Sequence, residues 1–304
     1  MVPALGVLIA VLSDSSYAVI IGSSLAVLWL QAVAVSEFVD GGLTPNFDTQ
    51  LRRVWTVSAS VLIICHLVRP WFVASTMSGS TSFVEVCGLI PTILSSTRQG
   101  GLWFANSAAL AVLLAGRWVT GKWPLAIAAW IQIGALGVLA ATKAASSHAS
   151  EEGDFSLPEI CQFLHLIATA VWSGSIIVSG LVVVPGLAAS GKAPALWSYG
   201  RRLSKFVTWA LGVLVLSGLY ISWRDMHGAL SGLWTSSWGK ILITKVAFVG
   251  LAALLGSLTR FRCLGRPADS ERATIMRNLL RAEAAVMVTI LFISGLLANT
   301  NPGT

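Results

Sequence analysis

Long apolar runs separated by short polar stretches are the main pattern along this chain of 304 residues. The runs are continuous, and most are about as long as the 20 residues or so that a helix needs to cross a bilayer. Strands of a membrane barrel are shorter and alternate between apolar and polar positions, so the pattern favours helices. We predict eight transmembrane helices, at about 17–38, 54–76, 102–118, 124–144, 159–184, 204–223, 239–260 and 278–298.

Two apolar stretches fall outside these eight helices. The stretch 3–12 is separated from the first helix by Asp14, and it is expected to extend that helix. The run 83–95 is too short to span and contains Pro91, so we predict a re-entrant or interfacial segment there. No linker or soluble domain interrupts the pattern. The predicted fold is therefore an all-α polytopic membrane protein, with a single transmembrane domain over residues 1–304.

The composition agrees with a membrane protein. Hydrophobic residues make up 55% of the chain and charged residues 11%, whereas a soluble domain carries roughly a quarter of charged residues. The thirteen tryptophans suit the bilayer interface. Phosphate-loop, dinucleotide-binding and H-E-x-x-H motifs are missing from the sequence, so we expect no enzyme activity on this chain. The net charge of +7 lies mostly in short loops, which favours the lipid bilayer rather than nucleic acid as the partner.

The basic residues predict the orientation, because short loops rich in Lys and Arg stay in the cytoplasm. Two such regions, at 192–205 and 260–281, are expected inside. The region between the fourth and fifth predicted helices is acidic and is expected outside, where its acids would concentrate cations: Glu151, Glu152 and Asp154. With eight spans, this places both chain termini on the periplasmic side of a bacterial inner membrane.

All four histidines fall on the outer side or within the membrane in this topology. His148 follows the fourth predicted helix, His165 lies about two turns into the fifth, His66 lies near the middle of the second, and His227 follows the sixth. Ionisable groups inside a bilayer are costly and usually functional. The histidines are therefore candidate metal ligands at the outer half of the protein. For His227 a solvated loop residue is the favoured interpretation, although it is well placed to receive an ion at the outer mouth.

Cys161 and His165 are spaced to share one face of a helix, about one turn apart. Thiolate and imidazole together suit Cu(I) or Zn(II) better than hard cations. The alternative is a small apolar cysteine beside a histidine that is hydrogen bonded to a neighbouring helix. For His66 beside Cys65, packing is the favoured interpretation, because adjacent helical residues point in different directions. The four cysteines show no C-x-x-C spacing, which argues against a disulfide framework.

Several short motifs, in order along the chain, resemble the copper resistance protein D family of bacterial inner-membrane proteins. Ser147-His148-Ala149 and the stretch from His165 to Gly174 are similar to the family's G-H-A and H-L-x-A-x-x-x-W-x-G. Three further segments agree with family motifs: 74–79 with S-M-x-G, 204–220 with a helix ending T-G-x-Y, and 238–245 with Y-G-x-L-L-x-x-K. The departures from the family include Ser147 and Ser173, each in place of a glycine, and Asn106 in place of an arginine.

The resemblance implies copper transport across the inner membrane, copper resistance or homeostasis, and a periplasmic copper-binding protein as a partner. It also implies His148 and His165 as metal-associated positions, and it makes Lys245 the family's basic residue in the seventh helix. The leading hypothesis is copper uptake from the periplasmic side, with copper as Cu(I). His148 and His227 would receive the ion, Cys161 and His165 would take it next, and His66 would serve as a deeper relay.

Two alternatives stay open at this point. Histidines on helices also ligate haem, so a b-type haem electron-transfer protein would use His66 and His165, provided that they face each other across the bundle. The chain could also be a membrane scaffold or assembly factor without an ion path. Glu283, close to Arg281, is expected to serve packing or orientation.

Overall fold

The structure is a computed structural model that describes residues 2–36, 45–80, 82–118, 125–191, 193–226, 231–265 and 269–300. Every regular element in these residues is a helix, and no strand occurs among them. The all-α prediction is therefore confirmed. The α-helices are α1 (Val2–Ser36), α2 (Pro45–Ser78), α3 (Phe83–Ser96), α4 (Arg98–Trp118), α5 (Leu125–Ala145), α6 (Leu157–Val178), α7 (Val184–Ala189), α8 (Ala193–Asp225), α9 (Gly232–Thr235), α10 (Ser237–Thr259) and α11 (Ser270–Leu297).

Seven helical stretches in the described residues are long and apolar enough to cross a membrane, which makes this a multi-pass membrane protein. They are Ala4–Val33, Thr49–Ser78, Ile127–Ala145, Leu157–Ala189, Ala193–Asp225, Ser237–Leu264 and Ser270–Leu297. The predicted span 102–118 lies in α4, where Asn106 and Ser107 interrupt the apolar run. The count of eight spans therefore stays a prediction.

Most helices extend beyond the apolar stretches that predict them. The first helix begins at Val2, so residues 3–12 extend it as expected. Asp14 remains inside this helix because its carboxylate forms an ion pair with Lys143 of α5. The sixth predicted span, 204–223, lies in a helix that begins at Ala193. The helix therefore includes the basic residues Arg201 and Arg202, which precede the apolar run.

The predicted short segment 83–95 forms the 14-residue helix α3, which contains Pro91. Its buried face consists of Val86 and Ile93, which pack with Ala74 of α2 in a small apolar cluster. The helix thus folds back against the end of α2. Its re-entrant or interfacial position relative to the bilayer stays a prediction.

The stretch Leu157–Ala189 is the centre of the bundle: 78% of its most apolar portion is buried. It comprises α6, a π-helical turn at Ser179–Val183 and α7. Its closest helix contact is with α1. A Cβ atom added to Gly174 would lie 1.8 Å from the Ala18 carbonyl oxygen, so only glycine allows the two backbones to approach this closely.

Two ends of the bundle can be distinguished by the chemistry of their residues. The acidic-loop end is defined by residues 146–156, which connect α5 to α6. The start of α1 lies at this end as well, since Asp14 pairs with Lys143 near the end of α5. The end of α11 joins them, because Asn299 lies beside Gly6. The arginine-rich end, at the opposite side, carries Arg201, Arg202, Arg260, Arg262, Arg272 and Arg281.

Candidate metal site

His148 begins a short 3-10 helix, His148–Glu152, in the acidic loop. The Ser147 hydroxyl caps this turn by accepting a hydrogen bond from the Ala149 amide. The imidazole is 93% exposed, and its Nδ1 lies 2.6 Å from Glu151 Oε1. Because an ionised carboxylate only accepts hydrogen bonds, Nδ1 is the donor, and in the neutral ring Nε2 carries a lone pair that faces solvent. A carboxylate on the second ring nitrogen is a common arrangement for metal-binding histidines.

Two arginines hold the acidic loop against neighbouring helices. Arg98, at the start of α4, forms an ion pair with Asp154. Arg224, near the end of α8, donates from Nε to Glu152 Oε1 at 3.0 Å and from Nη2 to the His148 carbonyl oxygen at 3.2 Å. The acids expected to concentrate cations are thus largely paired. Their pairing fixes the backbone that carries His148.

His165 lies eight residues after the start of α6, or about 12 Å along the helix axis. Its Nδ1 lies 3.2 Å from the Ser217 hydroxyl of α8, and that hydroxyl is also 2.7 Å from the Val213 carbonyl oxygen. A hydroxyl has a single hydrogen, and the carbonyl can only accept it. His165 Nδ1 is therefore the donor to Ser217, and Nε2 carries the lone pair.

The space around His165 is set by α8 and α10. A Cβ atom on Gly218 would lie 3.2 Å from the ring, so the absence of a side chain there makes room for the imidazole. Lys245 of α10 is near enough to His165 to interact with it electrostatically. Cys161 is half-buried one turn before His165, about 6 Å into α6. Thiol and imidazole therefore follow each other along the helix.

His66 is held by α4. Its ring stacks on Trp103 with centroids 4.8 Å apart, and the Trp103 indole donates to the His66 carbonyl oxygen. His66 Nε2 lies 2.9 Å from the Ser107 hydroxyl, which also lies 3.0 Å from the Trp103 carbonyl oxygen. Because the Ser107 hydroxyl gives its single hydrogen to this carbonyl oxygen, His66 Nε2 is the donor and the lone pair is on Nδ1. Cys65, the preceding residue, is buried.

A small cavity of about 20 Å³, enough for one water molecule, is lined by Trp103, the residue on which His66 stacks. Its polar lining includes Arg69, whose guanidinium donates to the Ser146 hydroxyl at 2.9 Å, and Asn106, which accepts from Thr142 at 2.6 Å. Asn106 stands where the resembled family has an arginine. Arg69, on α2, places a guanidinium at the same cavity.

The structure does not bring the predicted ligands into one cluster. Among the described residues, no group of three or more His, Cys, Asp or Glu side chains could hold a metal ion together. His227 lies outside the described residues. His66 is held against α4 and His165 against α8, so the structure gives no support to a haem between them. The candidate positions form a series of separate one- and two-ligand sites.

Sequence reasoning missed a charged group inside the acidic-loop half of the bundle. Asp14 of α1 pairs with Lys143 and interacts electrostatically with Arg69 and Lys245. One acid thus lies among three basic side chains from three helices. The signal was present, since an acid in a 35-residue apolar helix is costly unless it has a partner.

Comparison with known proteins gives matches over most of the chain. The family model described as "Copper resistance protein D-like, N-terminal domain" matches residues 1–157, and the one described as "Copper resistance protein D" matches residues 197–297. Copper resistance protein D of Pseudomonas syringae pv. tomato is 25% identical over 293 residues, which cover 91% of each chain.

A second relative is the Copper transport protein CutJ of Bacillus subtilis (strain 168). It is 26% identical over 279 residues, which cover 87% of this chain and 48% of the relative. The present chain thus spans about half the length of that protein. No solved structure matches the chain.

Proposed function

This chain belongs to the copper resistance protein D family, and from that membership we propose that it carries copper ions across the bacterial inner membrane, from the acidic-loop end to the arginine-rich end. Membership gives the protein a role in copper homeostasis. The direction, the residues and the oxidation state of copper are our proposal. The two relatives carry names of copper resistance and copper transport.

The proposed direction rests on orientation. Clustered arginines mark the cytoplasmic side of a membrane protein, so the acidic-loop end faces the periplasm, together with both chain termini. A periplasmic copper-binding protein would then meet the acidic loop. His148, the most exposed described histidine, is the first ligand offered to such a partner.

One observation carries the proposal: each of the three described histidines has one ring nitrogen within hydrogen-bond distance of a side-chain oxygen, so that in the neutral ring that donates there the other nitrogen carries the lone pair. The holding groups are Glu151 for His148, Ser217 for His165 and Ser107 for His66. A neutral imidazole in a fixed tautomer is the form that binds a metal ion.

The ion would pass inward by stages. His148 and His227 receive it at the periplasmic side, and Cys161 and His165 take it about 6 and 12 Å into α6. His66 acts as a deeper relay on α2. Thiol and imidazole ligands favour copper as Cu(I). Conduction needs sites weak enough to release the ion, and sites with one or two ligands meet this requirement.

Lys245 contributes to release at the innermost α6 ligand. Its ammonium interacts electrostatically with His165 and repels a cation bound there. Repulsion from a fixed positive charge shortens the residence of copper on the imidazole. The lysine thus prevents copper from binding too tightly to His165 to be released.

Copper accumulation in cells tests this proposal. Cells that express the wild-type protein should accumulate more copper than cells without it, and His165→Ala should reduce that excess at least about tenfold, because it removes a ligand. Leu164→Ala is the matched control, since Leu164 is adjacent and 41% exposed. Expression is compared by immunoblot. Equal accumulation by wild type and His165→Ala at equal expression would rule out the proposed site.

A further inference from the structure

Glu283 of α11 is a buried carboxyl group that the proposed copper path does not use. It is 1% exposed, and its Oε2 has no hydrogen-bond partner within the described part of the chain. It is also the only acidic residue among the buried polar side chains of the described residues. Packing alone does not require a carboxyl group at such a position.

The surroundings of Glu283 are tightly packed helix backbone. A Cβ atom on Gly256 of α10 would lie 3.2 Å from Glu283 Oε1, so the glycine makes room for the carboxyl group. On the adjacent face of α11, Leu280 and Ala284 pack against Gly180 in the π-helical turn after α6. The carboxyl group therefore lies where α10, α11 and the central helical stretch meet.

No charged side chain in the described residues interacts electrostatically with Glu283. Its own helix carries Arg281, which is exposed, and Arg277, which is half-buried six residues before Glu283. The charged residues that follow Gly256 in α10 and its π-helical end, Arg260 and Arg262, are exposed too. On α1, Asp14 is paired with Lys143, and on α10 Lys245 interacts with Asp14 and His165. The buried titratable groups on the other packed segments are Tyr199, bonded to Ser179, and Cys263.

An ionised carboxylate without a cation or a hydrogen-bond donor is strongly disfavoured in an apolar interior, whereas the protonated acid is tolerated. We propose that Glu283 is a proton-binding site reached from the arginine-rich end. Binding converts the carboxylate to the acid, and release returns the proton to water; no other bond changes. Gly256, which lies beside the carboxyl group, is about one helical turn before Arg260, so Glu283 lies near that end.

Chemical labelling tests the proton site without copper. Dicyclohexylcarbodiimide enters membranes and reacts with protonated carboxyl groups, and peptide mass spectrometry locates the product. In wild-type protein in lipid vesicles, we expect Glu283 to be labelled at low pH, with labelling falling at least about tenfold between about pH 5 and about pH 10 as the acid loses its proton. Absence of labelling at low pH, or labelling that does not change with pH, would contradict the proposal.

Two variants of α11 complete this experiment. Glu283→Gln should remove the label, whereas Glu271→Gln, which removes an exposed acid from the first turn of the same helix, should leave it unchanged. The central result comes from wild-type protein, so it does not depend on whether Glu283→Gln folds. Labelling confined to other carboxyl groups would overturn the assignment to Glu283.

Discussion

The imidazole of His165 lies directly against Gly218: a Cβ atom on this glycine would be 3.2 Å from His165 Cε1 and 3.5 Å from Nδ1. The ring thus fills the space that a side chain on α8 would otherwise take. Ser217, the preceding residue, holds the same ring through Nδ1. Two consecutive residues of α8 therefore determine both the position and the tautomer of His165.

Gly218→Ala should weaken copper binding with little loss of stability. The added methyl group is a few tenths of an ångström too close to the ring, so the imidazole must shift and its lone pair is redirected. We expect copper affinity, measured by competition with a chromogenic Cu(I) chelator, to fall about tenfold. Gly212→Ala, on the same helix with nothing within 4 Å of the new Cβ, is the control. Equal affinity of the two variants would refute the positioning role.

Ser217→Ala should release the His165 tautomer. It removes the oxygen that accepts from Nδ1, so either ring nitrogen can then carry the proton. We expect copper affinity to fall about tenfold, and the free energy of unfolding to fall by about 1 kcal/mol for the lost hydrogen bond. Chelator competition and thermal unfolding in detergent measure the two effects.

The control for this change is Ser257→Ala, whose exposed hydroxyl is bonded only to the Ala253 carbonyl oxygen in its own helix. It should leave affinity unchanged. A loss of stability in Ser217→Ala without a loss of affinity would show that the hydrogen bond serves only to join α6 and α8.

Gly174→Ala should disrupt the contact between α1 and α6. The new Cβ would lie 1.8 Å from the Ala18 carbonyl oxygen, and neither backbone can move without displacing its helix. We expect a destabilisation of about 3 kcal/mol or more, because the overlap involves backbone rather than a flexible side chain. Thermal unfolding of the purified protein checks this. Gly134→Ala, with open space around the new Cβ, should change stability by less than about 1 kcal/mol.

Asp14 and Lys143 should be energetically coupled. Asp14→Asn leaves the Lys143 ammonium without its partner, and Lys143→Met leaves the carboxylate without its partner. The stability lost in the double variant should therefore be smaller than the sum of the losses in the two single variants. A double-mutant cycle on unfolding free energies should give a coupling of about 1–3 kcal/mol. Independent, additive effects would argue against a functional pairing of the two side chains.

The exposed pair Arg98–Asp154, with side chains 49% and 68% exposed, is the matched comparison. An ion pair in water gains little, so its coupling should stay below about 1 kcal/mol. A coupling as large as that of Asp14 and Lys143 would mean that position inside the bundle makes no difference.

The helical fold could be predicted from the sequence because continuous apolar runs need no knowledge of their neighbours. The apolar segment 83–95 could also be recognised as too short to span and as containing Pro91, whereas its helical structure, Phe83–Ser96, is seen only in the structure. The start of the first helix was less clear, since Asp14 interrupts its apolar run. Only the position of Lys143, 129 residues later in the chain, explains why the helix continues through this acid.

The candidate site was predictable as a list of residues but not as an arrangement. The spacing of Cys161 and His165 gives their shared face, whereas the contact of His165 with Ser217 depends on how two helices pack. The same holds for His66, whose stacking on Trp103 fixes it to α4. The acids of the outer loop were predicted to attract cations, and the sequence pattern could not show that Arg98 and Arg224 pair with two of them.

The π-helical turn at Ser179–Val183 has a consequence for how the central helix tolerates change. A π turn contains one residue more than the α-helical turn that it replaces. Deleting a single residue of this turn would therefore restore a regular α-helical turn, and the segment beyond it, which begins with the fully buried Val184, would keep its present neighbours. The half of the helix that carries His165 would keep its register as well, so the central helix can lose one residue here without turning either half.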